Sequence, residues 1–237
     1  SEPLMQKYLV CSHDDIEMKV EEQAGEVLLA QGIDHGELCD VVKGKHSLSG
    51  IIHGDLDVDR MDYLLRDAYY TGAPYGSVDA QRLIRHLIRT SEGMVIDENG
   101  VNAAESLLIA RTMMRPTVYF HHVSRIAESM YQLAILEHLD GTSKEIARAL
   151  FKMDDASCLH ALQTSENPVA RDLSVRLYER RLYKRALFAG SDQVNTTLYD
   201  QGVSLEKCRE LAGKIASGAG LMPHQVLVDI PPVPGEM

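Results

Sequence analysis

The stretch Asp55-Leu-Asp-Val-Asp-Arg-Met-Asp-Tyr-Leu-Leu-Arg-Asp-Ala-Tyr-Tyr70 places five carboxylates, two arginines and three tyrosines in sixteen residues. At helical spacing Asp59, Asp62, Tyr63, Arg66, Asp67 and Tyr70 share one continuous polar face. Val58, Met61, Leu65 and Ala68 form an apolar face that can pack on a core. Gly54 and the Asp55/Asp57 pair predict the helix start, with acids at the positive end of the dipole. Thr71-Gly-Ala-Pro74 predicts its stop. Two accounts of the polar face stay open: a solvated stripe laced by pairs such as Asp62 with Arg66, or a cleft for a polar ligand carrying a hard cation. Short Asp carboxylates and Tyr hydroxyls cost helix propensity where Glu and Lys would not, which favours the cleft.

A chain of 237 residues that is 45% hydrophobic can bury a sizeable core, filled here by aliphatic residues and Met because Trp is absent and Phe scarce. A net charge of -11 excludes a duplex-binding groove as the main surface, so nucleic acid is not expected as the main partner. The cysteines Cys11, Cys39, Cys158 and Cys208 form no CxxC pair, which fits reduced thiols in a cytoplasm better than a disulfide frame. No apolar run approaches the roughly 20 residues of a spanning helix, and no membrane partner is expected. The opening Ser-Glu-Pro and the closing Pro231-Pro-Val-Pro-Gly-Glu-Met237 are expected to be cut ends.

Along the chain, residues 4–31 read as helical with a break near Cys11-Ser-His-Asp-Asp15, and Gly32 to Gly50 as a short helix and loop containing His46. His46 and His53 are expected to be structural or solvated. Asp79 to Thr90 reads as an amphipathic helix with Leu83, Ile84, Leu87 and Ile88 inward. Met94-Val-Ile-Asp-Glu-Asn-Gly-Val101 predicts a hairpin turning at Asn-Gly. A long helix begins at Asn102, and Arg115-Pro116 can kink or restart it. Further helices are predicted over Lys144–Met153, Asp155–Gln163, Pro168–Phe188 and Ser204–Ala216, and a strand over Gln225–Ile230. The basic run Arg176 to Arg185 reads first as a solvated face.

The run Gly54 to Gly72, with Tyr75-Gly76 and Asp79-Ala-Gln-Arg-Leu-Ile84, resembles the late metal-ligand segment of the HD-domain phosphohydrolases, in the branch of the dNTP triphosphohydrolases. The resemblance implies a mostly α fold: a helical HD-type core with a small β-hairpin over 1–140, a helical extension over 141–190 and a small C-terminal α+β appendage over 191–237. It implies a hydrolase of nucleotide phosphoesters or phosphoanhydrides, a dNTP triphosphohydrolase above all. The alternatives are another HD phosphodiesterase or nucleotidase, or a non-catalytic nucleotide-sensing module. Its cofactor would be a divalent metal (Mg, Mn, Fe, Zn or Ni).

By the same resemblance Asp59 is a metal ligand and His13 a catalytic proton donor. Arg60 and Arg111 bind phosphate. Tyr63, Asp67 and Tyr119 address the sugar, and His121 faces the substrate. Arg111-Thr-Met-Met-Arg-Pro-Thr-Val-Tyr119 has the spacing of the family's second ligand-contacting helix. Arg180 and Lys184 match a regulatory nucleotide site at a subunit interface of some oligomeric relatives, which implies a homo-oligomer. His13-Asp14 is not the family's metal dyad, since the Gly-His-Gly continuation and an upstream His are missing. The metal set is therefore expected to be completed upstream of Ser1.

Overall fold

The computed structural model describes residues 2–9, 17–90, 93–190, 192–193 and 203–231. These fall into two compact units, one of Ser12–His121 and one of Ser1–Cys11 with His122–Met237. Among the described residues the fold is mostly helical with one two-stranded antiparallel sheet. The expected boundaries near 140 and 190 both lie inside the second unit.

In the Ser12–His121 unit, α2 (Glu17–Ala30), α3 (His35–Val42) and α4 (Gly50–His53) lead into α5 (Val58–Thr71). Helix α5 starts where Asp57 caps it, the carboxylate accepting from the Arg60 N–H at 2.7 Å. It stops at Gly72, whose φ of 70° is the left-handed conformation that glycine adopts without penalty. Its inward face differs by one position from the sequence reading. Met61 and Leu64 are buried, whereas Val58 and Leu65 are exposed. Met61 and Leu64 join Val78, Leu83, Leu107, Ala110 and Met114 in one apolar core, with Tyr63 and Tyr119 packed at its edge.

The predicted helix over 79–90 is corrected. Helix α6 covers Ala80–His86, and the chain then becomes β1 (Leu87–Thr90), paired with β2 (Gly93–Ile96) in the register Leu87 to Ile96. The hairpin therefore lies earlier than Asn99-Gly100 suggested. That pair serves a different turn, because the Asp97 carboxylate accepts from the N–H groups of Asn99 at 2.8 Å and Gly100 at 3.2 Å. This side-chain capping winds Glu98–Gly100 into a 3₁₀ turn that feeds α7 (Val101–Met114). The ring of His86 meets the other Asp97 oxygen at 2.9 Å, and with it holds that carboxyl below the usual carboxylate range. Pro116 has no N–H to continue the ladder, and a π-turn follows over Arg115–Tyr119, closed by the Phe120 N–H to the Arg115 carbonyl at 2.7 Å.

In the other unit α8 (His122–Leu139) packs along α11 (Pro168–Tyr178). Its core takes Met130, Leu133, Leu136 and Leu139 from α8, Leu173 from α11 and Leu4 from α1 (Glu2–Leu9). Leu150 of α9 (Lys144–Phe151) and Leu162 of α10 (Asp155–Gln163) complete it. Ser143, Asp154 and Asn167 cap α9, α10 and α11.

Helix α11 ends ten residues before the predicted Phe188. The Arg181 N–H bonds the Arg176 carbonyl at 2.8 Å and the Arg180 N–H bonds that of Leu177 at 3.1 Å, with Arg180 at φ 54°. This is the left-handed helix stop usually given to glycine, made here by a residue that adopts it at a cost of about 1 kcal/mol. Arg180→Gly is therefore expected to stabilise the protein by roughly 0.5–1 kcal/mol, seen as a higher midpoint in chemical denaturation. An unchanged or lower midpoint would show that the arginine side chain offsets the strain.

The C-terminal part holds α12 (Leu205–Gly218) and a 3₁₀ turn at Pro223–Gln225. The predicted strand over 225–230 is not formed among the described residues. Val226 is extended, at φ −122° and ψ 135°, but the segment joins no ladder. Among the described residues no helix is long and apolar enough to cross a membrane.

Candidate functional site

Helix α5, the end of α7 and the π-turn after it carry most of the residues singled out in the sequence. The Tyr119 hydroxyl donates to Asp67 Oδ2 at 2.8 Å, linking the π-turn to α5 across 52 positions of sequence. Burial, and then this bond, push the Tyr119 phenol well above its ordinary value, so it remains a proton donor. The bond fixes one Asp67 oxygen, and the other makes no hydrogen bond among the described residues. Tyr63, one turn before Asp67, meets the Tyr119 ring edge to face with centroids 5.9 Å apart. Two rings and a fixed carboxylate thus stand together at the margin of the core.

Arg111 lies one turn from the end of α7 and is half-buried. Its guanidinium makes no hydrogen bond or ion pair among the described residues. A half-buried cation without a partner is costly, and an anionic ligand would relieve that cost. Asp59, in the first turn of α5, is exposed.

Arg60 is engaged within the unit: its Nη1 donates to the Gly54 carbonyl and pairs with Asp57 Oδ2. Asp57 is 3% exposed, and burial pushes its carboxyl up despite the arginine. The sequence reading treated Asp57 only as a helix start and missed that it holds Arg60. The spacing of Asp57 and Arg60, i and i+3 across a helix start, was the available signal.

Asp62 and Arg66 form the expected surface pair, and Tyr70 is 80% exposed, so this part of the polar stripe is solvated. His121 is exposed, its N–H bonded to the Val118 carbonyl at 3.3 Å. His46 bonds Glu37 at 3.2 Å and His53 reaches the Val42 carbonyl, both as structural histidines. Arg180 and Lys184 are exposed in the second unit, and His13 lies outside the described residues. Among the described residues no three His, Cys, Asp or Glu side chains converge as a metal set. Asp59 offers one carboxylate, and these residues alone do not make up a metal centre.

The family model of the HD associated region matches residues 78–237, so the chain belongs to that family. It is 38% identical over 162 residues to an uncharacterized protein of Methanocaldococcus jannaschii, covering 65% of this chain and 35% of that protein. With the uncharacterized protein YwfO of Bacillus subtilis it shares 31% identity over 179 residues, 67% of this chain and 41% of the relative. The chain thus spans well under half the length of these relatives.

Among solved structures, a hypothetical protein from Aquifex aeolicus superposes with a TM-score of 0.64 at 30% identity, over 77% of this chain and 53% of that one. A phosphohydrolase from Bacteroides thetaiotaomicron superposes with a TM-score of 0.62 at 22% identity, over 94% and 60%. That second likeness establishes a shared fold.

Proposed function

We propose that the protein containing this chain is an HD-type phosphohydrolase that requires a divalent metal and acts on nucleotides, in the manner of the dNTP triphosphohydrolases. The observation that carries this reading is the pairing of Tyr119 with Asp67 beside Tyr63, with Arg111, whose guanidinium has no partner among the described residues, on α7 eight positions before Tyr119. A nucleotide needs these parts: a cation for its phosphates, rings for the flat faces of the nucleoside, and a fixed carboxylate for a sugar hydroxyl.

In this reading Arg111 binds phosphate and Tyr63, Asp67, Tyr119 and His121 hold the nucleoside. Arg60 reaches a phosphate by exchanging Asp57 and the Gly54 carbonyl for it. Asp59 supplies one ligand to the metal, and His13 gives a proton to the leaving oxygen. Arg180 and Lys184 bind a regulatory nucleotide in a cytoplasmic homo-oligomer. The match to the HD associated region and the fold shared with a phosphohydrolase support the class of the reading.

The test is to incubate the full-length protein with each dNTP and Mn²⁺ or Mg²⁺, identify the products by ion-exchange chromatography, and repeat with Asp59→Ala. Inorganic triphosphate and nucleoside are expected from the wild type and not from the variant, whose Mn²⁺ affinity by calorimetry should also fall. Single phosphate would assign another HD nucleotidase, and binding without turnover a nucleotide sensor. Full turnover in Asp59→Ala would remove Asp59 from the metal.

A further inference from the structure

The π-turn Arg115–Tyr119 decides where Tyr119 lies relative to Arg111, which stands eight positions earlier on α7. In an unbroken α-helix eight positions turn through roughly 800°, about 80° past two full turns, so residues at that spacing diverge. An i→i+5 turn takes one residue more than an α-turn. A helix containing one therefore covers in eight positions what an α-helix covers in seven, roughly 700°, about 20° short of two turns. The wide turn returns Tyr119 to the face that carries Arg111.

The turn is made by the neighbours of Tyr119. The Phe120 N–H donates to the Arg115 carbonyl at 2.7 Å, and the Arg115 guanidinium stands over the Phe120 ring at 5.3 Å. The Thr117 hydroxyl donates to the Met113 carbonyl at 2.8 Å. Pro116 is the cause in the sequence, because its ring offers no N–H and clashes with the carbonyl four residues back in a regular α-turn, which a wider turn relieves. The Tyr119 side chain takes no part in these contacts: its hydroxyl donates to Asp67 and its ring meets Tyr63. A helix that had only to stop would end at or before the residue preceding the proline. This one runs a further turn past it, and the last residue of that turn is the one that fixes Asp67.

We propose that Pro116 is a positioning residue. By holding Arg115–Tyr119 in a π-turn it sets Tyr119 on the Arg111 face, so that the arginine and the tyrosine serve one ligand. The identity of that ligand rests on the nucleotide reading above, whereas the geometry of the turn is tested without it.

The test compares Pro116→Ala with deletion of Pro116 in the full-length protein. The substitution returns the N–H and keeps eight positions, so a rewound α-turn rotates Tyr119 by about 100° away from Asp67. The deletion removes the extra residue, so a plain α-turn delivers Tyr119 seven positions after Arg111 and on its face. A proline needed only to end the helix predicts the opposite order, with deletion the harsher change. For a dNTP that the wild type hydrolyses, Pro116→Ala is expected to raise KM about fivefold or more with kcat within about twofold, and the deletion to keep both within about twofold. Tyr119→Phe, which removes the donor to Asp67, reads the same geometry with no nucleotide present. It should lower the urea midpoint of the wild type and of the deletion, and leave that of Pro116→Ala where it was. Pro116→Ala that still responds to Tyr119→Phe would overturn the proposal. So would a deletion protein that fails to fold or has the higher KM, and so would a KM unchanged in Pro116→Ala. If no variant and no wild type hydrolyses a dNTP, the phosphohydrolase reading falls alone and the urea series still decides the turn.

Discussion

Arg111→Ala in the full-length protein is expected to lower kcat/KM for a nucleotide substrate by about a hundredfold or more, with little change in folding stability. The two halves of this expectation have one origin. The guanidinium has no hydrogen-bond partner or ion pair among the described residues, so removing it breaks no polar contact of the folded chain. On the proposed reading this half-buried cation is held for a phosphate.

To a phosphate the guanidinium forms charge-assisted, forked hydrogen bonds whose worth rises as charge builds on the phosphoryl oxygens. Deleting one such donor commonly costs about 10²–10³ in rate. The loss should therefore appear mainly in kcat. Arg111→Lys, which keeps the charge and not the fork, should fall between.

Tyr119→Ala gives the contrast. It removes an edge-to-face partner of Tyr63 and the donor that fixes Asp67, so it should raise KM more than it lowers kcat. Steady-state kinetics on the three variants decide the matter. Near-normal kcat in Arg111→Ala would show that its guanidinium serves no phosphate in turnover.

How much of this site was legible in the sequence depends on the range of the interactions. The start and stop of α5 are local events, made by Asp57 and Gly72, and the residue types announced them. The phase of its buried face was missed by one position because 61, 64, 68 and 61, 65, 68 both suit a period of 3.6. Packing against Leu107 and Met114 selects Leu64.

The hairpin was displaced because Asn-Gly suits more than one tight turn, and the competing acceptor, Asp97, sits only two residues away. The length of α11 was misjudged because Arg180 takes a left-handed stop without glycine to mark it. The Asp67–Tyr119 bond joins residues 52 apart. Only the resemblance to the HD-domain phosphohydrolases brought them to one site, since no local pattern couples them.

The largest effect on stability is expected at Gly76, and it bears on the same site. A Cβ there would lie 2.5 Å from the Ala68 Cβ and 2.5 Å from the Leu64 carbonyl oxygen, with the Met114 Cε at 3.3 Å. Two of these three contacts cannot swing aside: one is helix backbone and the other is the Cβ of α5. Leu64 and Met114 are themselves fully buried, so the neighbours have no room to give.

Gly76→Ala must therefore push the loop away from α5, at a cost of roughly 3 kcal/mol or more, the upper range for overpacking a dense core. Ala68→Gly added to it should recover only part of the loss, because the Leu64 carbonyl remains in the way. Gly213→Ala is the control: a Cβ at that position in α12 meets nothing within 4 Å, so the change should be neutral or stabilising by about 0.5–1 kcal/mol. Urea denaturation of the four proteins measures all of this. The displacement would also loosen α5 against α7 and the π-turn after it, which the Asp67–Tyr119 bond ties to α5, so Gly76→Ala should raise KM without touching a ligand. A Gly76→Ala protein as stable as wild type would show that the loop passes α5 at a greater distance than the packing of Leu64, Ala68 and Met114 requires.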